Sequence, residues 1–157
     1  SRGLGDVYKR QNQQDVVKEL NQQVANWTVA YTKLHNFHWY VKGPNFFSLH
    51  TKFEELYDEA SQYVDDLAER ILAIGGNPIG TLTESLDKSI VKEAGKNYAA
   101  EQMVEELSHD FTNISKQLEH AIEVAGNAGD DVSEDMFIGM QTSVDKHNWM
   151  LQSYLGK

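Results

Sequence analysis

Two pairs of potential metal ligands, His50/Glu54 and Asp65/Glu69, are the residues best suited to chemistry, and each pair is separated by four positions. On a helix this spacing places the two members side by side, so each pair could bind one metal ion. At about 1.5 Å rise per residue, His50 and Asp65 lie roughly 22 Å apart along a helix axis, too far to share an ion within one chain. Either the pairs are unrelated, or a second copy of the chain brings them together. We favour the second interpretation.

The two pairs share one side of the predicted helix, within an arc of about 100°. They also lie nearly symmetrically about Glu59 and Ala60. A two-fold axis at that point would lay two copies of the helix antiparallel, with the first pair of one copy facing the second pair of the other. His38, at the end of the preceding helix, could complete each of the two sites.

The residue types indicate which metal such a site would take. Two histidines with carboxylates and open coordination positions suit Fe(II) best, whereas structural zinc prefers cysteine and calcium prefers a loop of oxygen ligands. Each part also has an ordinary explanation, because acidic pairs on helices usually face solvent and a histidine on an apolar seam, such as His38, is usually a core residue. It is the joint arrangement that favours an iron site.

Composition limits the fold and the partners. The chain has 157 residues, two prolines and no cysteine, which favours one helical domain over a β-sandwich or a disulfide-bonded scaffold. The net charge of −10 disfavours nucleic acid as a partner and favours cations. No apolar run approaches the roughly 20 residues of a membrane span, and we expect a cytoplasmic protein. Residues 1–11 resemble a translated sequencing adapter, so we expect a non-native leader there and the domain in residues 12–157.

Apolar periodicity predicts four long helices, which run from about Gln13 to Val41, Phe46 to Ile74, Tyr98 to Val124 and Val132 to Leu155. Asn45 is expected to cap the second helix. The connection before the third is too long for a bare loop and predicts a short helix from Thr83 to Ile90, capped by Thr81 or Thr83. The predicted fold is therefore all-α, a four-helix bundle with a short extra helix between helices 2 and 3.

Three segments form one composite motif: HNFHWYVKGP at 35–44, FxxHxxFE at 47–54 and DxxAER at 65–70. Together they resemble the mini-ferritins of the Dps family, named for DNA protection during starvation, and the resemblance extends from about Gln13 to Gly156. It implies a ferritin-like bundle that assembles, through two-fold dimers, into a hollow dodecamer with a ferroxidase site at each two-fold interface. The implied reaction is oxidation of Fe(II), preferably by hydrogen peroxide, followed by storage of ferric oxide inside the shell, which protects the cell from oxidative damage.

The resemblance also assigns residues to the site. One subunit would supply three ligands, of which the carboxylate is the more weakly held: His38, His50 and Glu54. The partner subunit would supply the other two: Asp65 and Glu69. Trp39 matches a tryptophan beside the site that is suggested to absorb oxidising equivalents.

Four acidic residues open the predicted fourth helix, in a region where the family has acidic three-fold pores: Asp130, Asp131, Glu134 and Asp135. They could line an entry pore for cations, or they could simply cap the helix N-terminus. The alternative function is a nucleoid-associated protein that binds and compacts DNA, with secondary iron chemistry. Family members that compact DNA often use a lysine-rich N-terminal tail, and none is evident here, so DNA binding is not expected.

The remaining histidines do not form a competing metal site that the sequence pattern identifies. A di-metal site inside a single bundle needs Glu-x-x-His on two helices, and Glu106 with His109 supplies one copy only. We therefore predict that this pair is a surface pair. His35, His120 and His147 have no ligand partner that the sequence pattern identifies.

Overall fold

A computed structural model describes residues 2–157, which contain five helices and no strand. The helices are α1 (Arg2–Tyr40), α2 (Phe46–Ala73), α3 (Leu82–Lys88), α4 (Ala100–Asn127) and α5 (Asp131–Tyr154). The predicted all-α class, with four long helices and a short one in the long connection, is confirmed. None of the helices in residues 2–157 combines the length and apolar character that a membrane span requires.

The four long helices form two helical hairpins, α1 with α2 and α4 with α5, and α1 also contacts α4. Each long helix contributes one phenylalanine whose side chain is at most 1% exposed: Phe37, Phe53, Phe111 and Phe137. Burying a side chain of this size stabilises a fold by about 1.5–3 kcal/mol. The rings of Phe37 and Phe53 lie 5.9 Å apart, between centroids, and fix the end of α1 against the start of α2. Residues that immediately follow these two phenylalanines are therefore held at one end of the bundle.

The first helix begins at Arg2 rather than near Gln13. Residues 3–15 are all exposed, and Val16 is the first buried residue. The sequence before Gln13 contains two glycines but no proline, and glycine lowers helix propensity without forbidding the conformation. The helix therefore continues beyond the core that stabilises the rest of it. That residues 1–11 are a non-native leader stays a prediction.

Polar side chains of α1 hold the connection between α2 and α4. Asn21 donates to the carbonyl of Asn77 at 3.0 Å and accepts from the amide of Ile79 at 2.9 Å. Asn26 accepts from the amide of Ile90 at 3.1 Å. These bonds satisfy backbone groups that the irregular segment cannot pair internally. The long connection is consequently fastened to α1 at both ends of the short helix.

Two predicted helix caps have different outcomes. Thr81 is the N-cap of α3, and its hydroxyl accepts from the amide of Glu84 at 3.3 Å. This confirms Thr81, one of the two residues predicted as the cap. Asn45 occupies the N-cap position of α2, but its side chain forms no capping bond. It donates to the hydroxyl of Tyr154 at 2.9 Å, because the end of α5 packs beside this turn.

Candidate metal centre

A tight turn brings the end of α1 against the start of α2. Gly43 adopts a φ of +111° in this turn, a conformation that a residue with a Cβ rarely takes. The reversal places His38 of α1 over His50 of α2, with ring centroids 3.7 Å apart and planes 13° from parallel. His38 is 7% exposed, whereas His50 is half-buried. Two histidines twelve positions apart are thus stacked at one end of the bundle.

The two histidines hydrogen bond reciprocally to the backbone. Nδ1 of His38 lies 2.7 Å from the carbonyl oxygen of His50, and Nδ1 of His50 lies 2.8 Å from the carbonyl oxygen of His38. Because a carbonyl oxygen only accepts, each neutral ring carries its proton on Nδ1. The lone pair of each ring is then on Nε2, which is the arrangement that metal-binding histidines use. Both rings are therefore held with the Nε2 lone pair available, as a metal-binding histidine would require.

Glu54 lies next to these rings, one turn after His50 on α2. One of its carboxylate oxygens, Oε1, is 3.9 Å from Nε2 of His38 and accepts a hydrogen bond from the hydroxyl of Tyr57 at 3.2 Å. The side chain of Glu54 is 53% exposed, so the carboxylate faces solvent. Glu54 therefore lies beside the stacked histidines, and these three side chains are the candidate ligands that one chain would supply.

Asp65 and Glu69 do not join these three side chains within the chain. Both are exposed further along α2, and Asp65 lines a surface groove with Tyr31, Asp58 and Leu82. Over residues 2–157, no group of three or more His, Asp or Glu side chains is placed to hold a metal ion by itself. A single chain thus carries the predicted ligands as two separate halves, as the helix spacing requires.

Comparisons with known proteins identify the family. A sequence model of the ferritin-like domain matches residues 17–157. The chain is 52% identical over 143 residues to general stress protein 20U of Bacillus subtilis, and the alignment covers 91% of this chain and 99% of that protein. It is 49% identical over 142 residues to DNA protection during starvation protein 2 of Bacillus anthracis, covering 90% of this chain and 97% of that protein. The crystal structure of Dps from Staphylococcus aureus matches with a TM-score of 0.90 at 89% identity, over 90% of this chain and 95% of that one.

The chain belongs to the Dps family of ferritin-like proteins. A structure of Dps from Listeria innocua soaked with zinc is also similar, with a TM-score of 0.87 and 42% identity over 90% of this chain and 97% of that one. The resemblance stated from the composite motif is confirmed. The ferritin-like fold is confirmed with it.

Large apolar side chains surround the two halves of the candidate centre without being buried. Trp39 is 66% exposed and Phe47 is 83% exposed near the stacked histidines, and Leu72 is 61% exposed beyond Glu69. The ring of Trp39 lies 5.1 Å from that of His35, between centroids. Contiguous exposed apolar surface marks contact sites, whereas single exposed apolar residues are common. In this Dps-family chain exposed apolar residues lie near both groups of candidate ligands.

The four acidic residues at the start of α5 differ in their surroundings. Asp130 is the N-cap, and its carboxylate accepts from the amide and hydroxyl of Ser133, at 3.0 and 2.6 Å, and from Arg70 at 2.8 Å. Partial burial opposes ionisation of Asp130, but the bonds from Ser133 and Arg70 outweigh it and lower its pKa below the usual value. Asp131 and Asp135 are exposed, and Glu134 is half-buried. Capping thus occupies Asp130, whereas the pore assignment of all four stays a prediction.

A buried ion cluster between α1 and α4 was missed from the sequence. Lys33 is 1% exposed, and its ammonium group lies 2.7 Å from Asp110 and 3.0 Å from Glu106. The prediction that Glu106 and His109 form a surface pair is wrong, because Glu106 binds Lys33 and His109 contacts Asn113 at 3.2 Å. The available signal was Asp110 itself, a charge in the middle of the apolar seam of α4.

A second polar cluster joins α2 to α5. His147 is 7% exposed, and its Nε2 lies 2.6 Å from Glu59, while its Nδ1 lies 3.0 Å from the ammonium group of Lys52. Ser143 and Tyr63 also donate to Glu59. Burial opposes ionisation of Glu59, but the hydrogen bonds from His147, Ser143 and Tyr63 outweigh it and lower its pKa to about 2. The signal for this cluster was the position of His147 on the seam between Val144 and Leu151.

Proposed function

We propose that this protein is a ferroxidase and iron store that oxidises Fe(II), preferably with hydrogen peroxide, at sites shared by two subunits. The observation that carries the proposal is the tautomer of His38 and His50, whose Nδ1 bonds leave the lone pair of each ring on Nε2, with Nε2 of His38 lying 3.9 Å from the carboxylate of Glu54. Two neutral imidazoles and a carboxylate form the ligand set that suits Fe(II). These three ligands would leave coordination positions on the bound iron free, and the oxidant could bind there.

The second half of each site would come from Asp65 and Glu69 of a partner subunit. Both side chains are exposed on the same helix as His50, and the groove beside Asp65 also includes Leu82 of α3. Leu82 is 71% exposed and Leu86 is 49% exposed, so α3 offers apolar surface to a neighbouring chain. An antiparallel pairing of two α2 helices would cover this surface and would form two equivalent sites.

The chemistry follows from the charges involved. Carboxylates stabilise Fe(III) more than Fe(II), because the added positive charge is balanced by nearby negative groups. Two Fe(II) ions each give one electron to hydrogen peroxide. The O–O bond breaks, and the two oxygen atoms take up two protons to form two water molecules. Delivering both electrons at one site avoids release of hydroxyl radical. Ferric iron would then hydrolyse and collect as ferric oxide inside a dodecameric shell.

Family relatives and net charge support the assembly and the substrate. The proteins most similar to this chain include Dps from Staphylococcus aureus, and we propose the hollow dodecamer implied by the family for this chain as well. The zinc-soaked Listeria innocua structure supports the binding of divalent metals. The net charge of −10 favours attraction of cations. We propose that Asp131, Glu134 and Asp135 guide Fe(II) into the shell, and that Asp130 supports them as the helix cap.

The experiment adds Fe(II) without oxygen to the assembled protein and then adds hydrogen peroxide, with ferric absorbance followed in time. Changing one residue from each half of the site, in the double variant His38→Ala/Asp65→Ala, is expected to abolish the rapid phase. A matched control is the double variant His120→Ala/Asp66→Ala, which removes an exposed histidine and an exposed aspartate elsewhere. Oxidation at the original rate in the first variant would refute the site assignment.

A further inference from the structure

Tyr57 lies between two of the ligands that one subunit would supply. Its hydroxyl donates to Oε1 of Glu54 at 3.2 Å. Its ring meets that of His38 edge to face, with centroids 5.2 Å apart and planes at 87°. Tyr57 is half-buried and sits one turn after Glu54 on α2. Part of its ring packs against the hydrophobic core.

His35 holds the ring of Tyr57 from the other side. The two rings are stacked, with centroids 3.7 Å apart and planes 20° from parallel. Nδ1 of His35 lies 3.1 Å from the carbonyl oxygen of Tyr31, which fixes the orientation of the imidazole. The ring of Tyr31 packs edge-on against both, 4.5 Å from His35 and 6.1 Å from Tyr57. Tyr57 therefore has little freedom to rotate, and its hydroxyl is directed at one place.

Glu54 is the ligand that most needs such support. Its side chain has three rotatable bonds and is 53% exposed, whereas both histidines are held by stacking and by backbone hydrogen bonds. In the described chain the carboxylate of Glu54 has a single hydrogen-bond partner, the hydroxyl of Tyr57. A flexible side chain loses conformational entropy when it binds a metal, and a side chain ordered beforehand loses less.

We infer that Tyr57 is a positioning residue that orders Glu54 for metal binding, and that His35 keeps Tyr57 in place. This inference rests on the proposed function and adds to it, since it concerns how one ligand of the same site is prepared. Tyr57 does not touch the metal itself. Its effect is transmitted through one hydrogen bond to Glu54, and so it should disappear when the Glu54 carboxylate is removed.

The test uses Co(II), which is not oxidised by air under these conditions and reports its ligands through visible absorption. Dissociation constants are measured on the assembled full-length protein for wild type, Tyr57→Phe, Glu54→Gln and the double variant. Loss of a hydrogen bond to a metal ligand typically weakens metal binding by about tenfold or more, and this is expected for Tyr57→Phe. The double variant should bind no more weakly than Glu54→Gln alone, because Tyr57 acts only through the carboxylate that this substitution removes.

Two further variants separate the hydroxyl from the packing. Tyr98→Phe removes a hydroxyl from a tyrosine that packs on Phe37, outside the contacts of Tyr57 and Glu54, and is expected to leave the dissociation constant unchanged. His35→Ala removes the ring that covers Tyr57 and should weaken Co(II) binding by about threefold, in line with the loss of one aromatic pair. In the Tyr57→Phe background His35→Ala should have no further effect. Thermal unfolding and size-exclusion chromatography confirm that each variant folds and assembles.

The outcomes distinguish this inference from the proposed function. If Tyr57→Phe binds Co(II) as wild type does while His38→Ala and Glu54→Gln bind weakly, the positioning role is refuted and the metal site stands. Additive effects of Tyr57→Phe and Glu54→Gln would also refute it, because Tyr57 would then act by another route. If His38→Ala binds Co(II) as tightly as wild type, the site assignment fails, and the inference fails with it.

Discussion

His38 and His50 each donate a ring N–H to the main-chain carbonyl of the other, over 2.7 and 2.8 Å, so the two residues fix each other across the turn between α1 and α2. This mutual restraint holds both histidines at the start of α2. Asp65 and Glu69 are exposed on the same helix further from that end. The proposed site, if it uses all five residues, would therefore need two chains.

Mixing inactive variants tests this sharing of ligands. His50→Ala and Asp65→Ala chains should each oxidise Fe(II) slowly when assembled alone. If the two chains are dissociated, mixed equally and reassembled, half of the dimers are hybrids, and one of the two sites in each hybrid is intact. Random pairing then restores about one quarter of the wild-type sites. The stopped-flow amplitude of ferric formation after peroxide addition measures that fraction.

The matched control for this mixture combines His38→Ala chains with His50→Ala chains. Both substitutions fall in the same half of the site, so every site in a hybrid dimer still lacks one histidine, and no activity should return. Recovery in this control, or no recovery in the first mixture, would contradict a site divided between chains.

The buried ion cluster predicts a large effect on stability. Replacing Lys33 by Met leaves the buried carboxylate of Asp110 without the ammonium group that now lies 2.7 Å away. Burial already raises the pKa of Asp110, and Lys33 opposes that increase through its hydrogen bond and its charge. Removing one member of a buried ion pair typically costs about 3–5 kcal/mol, so thermal unfolding at fixed protein concentration should occur at a clearly lower temperature.

Lys116→Met, at an exposed position on α4, is the control and should change the free energy of unfolding by less than about 0.5 kcal/mol. Equal melting temperatures for the two variants would mean that Lys33 contributes no net stability.

Glu59 predicts a stability difference that depends on pH. Its pKa is lowered from 4.5 to about 2 in the folded protein, because hydrogen bonds from His147, Ser143 and Tyr63 outweigh the effect of burial. A lowered pKa means that the ionised form stabilises the fold at pH values above 4.5, and that this contribution is lost as the pH falls from 4.5 towards 2. Glu59→Gln should therefore lower the free energy of unfolding by about 2 kcal/mol at pH 7.

The difference between Glu59→Gln and wild type should shrink when unfolding is measured at successively lower pH. Glu55→Gln serves as the control, because Glu55 is exposed and pairs only with Lys52, at 3.2 Å. Exposed pairs of this kind contribute little, so its effect should stay below about 1 kcal/mol at every pH. A difference for Glu59→Gln that does not change with pH would show that the carboxylate charge is not what stabilises the fold.

The sequence predicts the helices well because helix periodicity is a local property. The buried residues of α2 repeat at three- and four-residue intervals, and the same spacing separates His50 from Glu54 and Asp65 from Glu69. The start of α1 was predicted too late because the apolar pattern marks where a helix is buried, not where it begins. Local pattern therefore predicted the buried face of each helix more securely than the helix ends.

Contacts between distant helices could not be predicted in the same way. His147 and Glu59 are 88 positions apart, and their contact depends on how α5 lies against α2. Tyr31 lies at helical spacing from the buried residues Trp27 and Leu34, yet it is 38% exposed and lines the groove beside Asp65. A periodic pattern cannot tell a side chain that packs in the core from one available to a second subunit, since both positions favour apolar residues.

The acidic residues at the start of α5 can be tested for two different roles, one in stabilising the helix and one in iron entry. Asp130→Ala removes the helix cap and the ion pair with Arg70, which lies 2.8 Å away, and should lower the free energy of unfolding by about 1–2 kcal/mol. Asp131→Asn/Asp135→Asn changes two exposed residues and should leave stability nearly unchanged. If these two residues guide cations into the shell, the double variant should instead slow iron uptake at low ionic strength.

Uptake is measured as ferric absorbance after Fe(II) and peroxide are added, at about 10 mM and about 1 M salt. The screening length falls from about 30 Å to about 3 Å between these conditions, so a deficit caused by long-range attraction should vanish at high salt. Glu101→Gln/Glu105→Gln removes the same charge from exposed positions on α4 and is the matched control. If the control slows uptake as much as Asp131→Asn/Asp135→Asn does, the overall acidity of the protein attracts the iron and the start of α5 has no special role. A deficit confined to the α5 variant and abolished by salt would support an entry pore at that position.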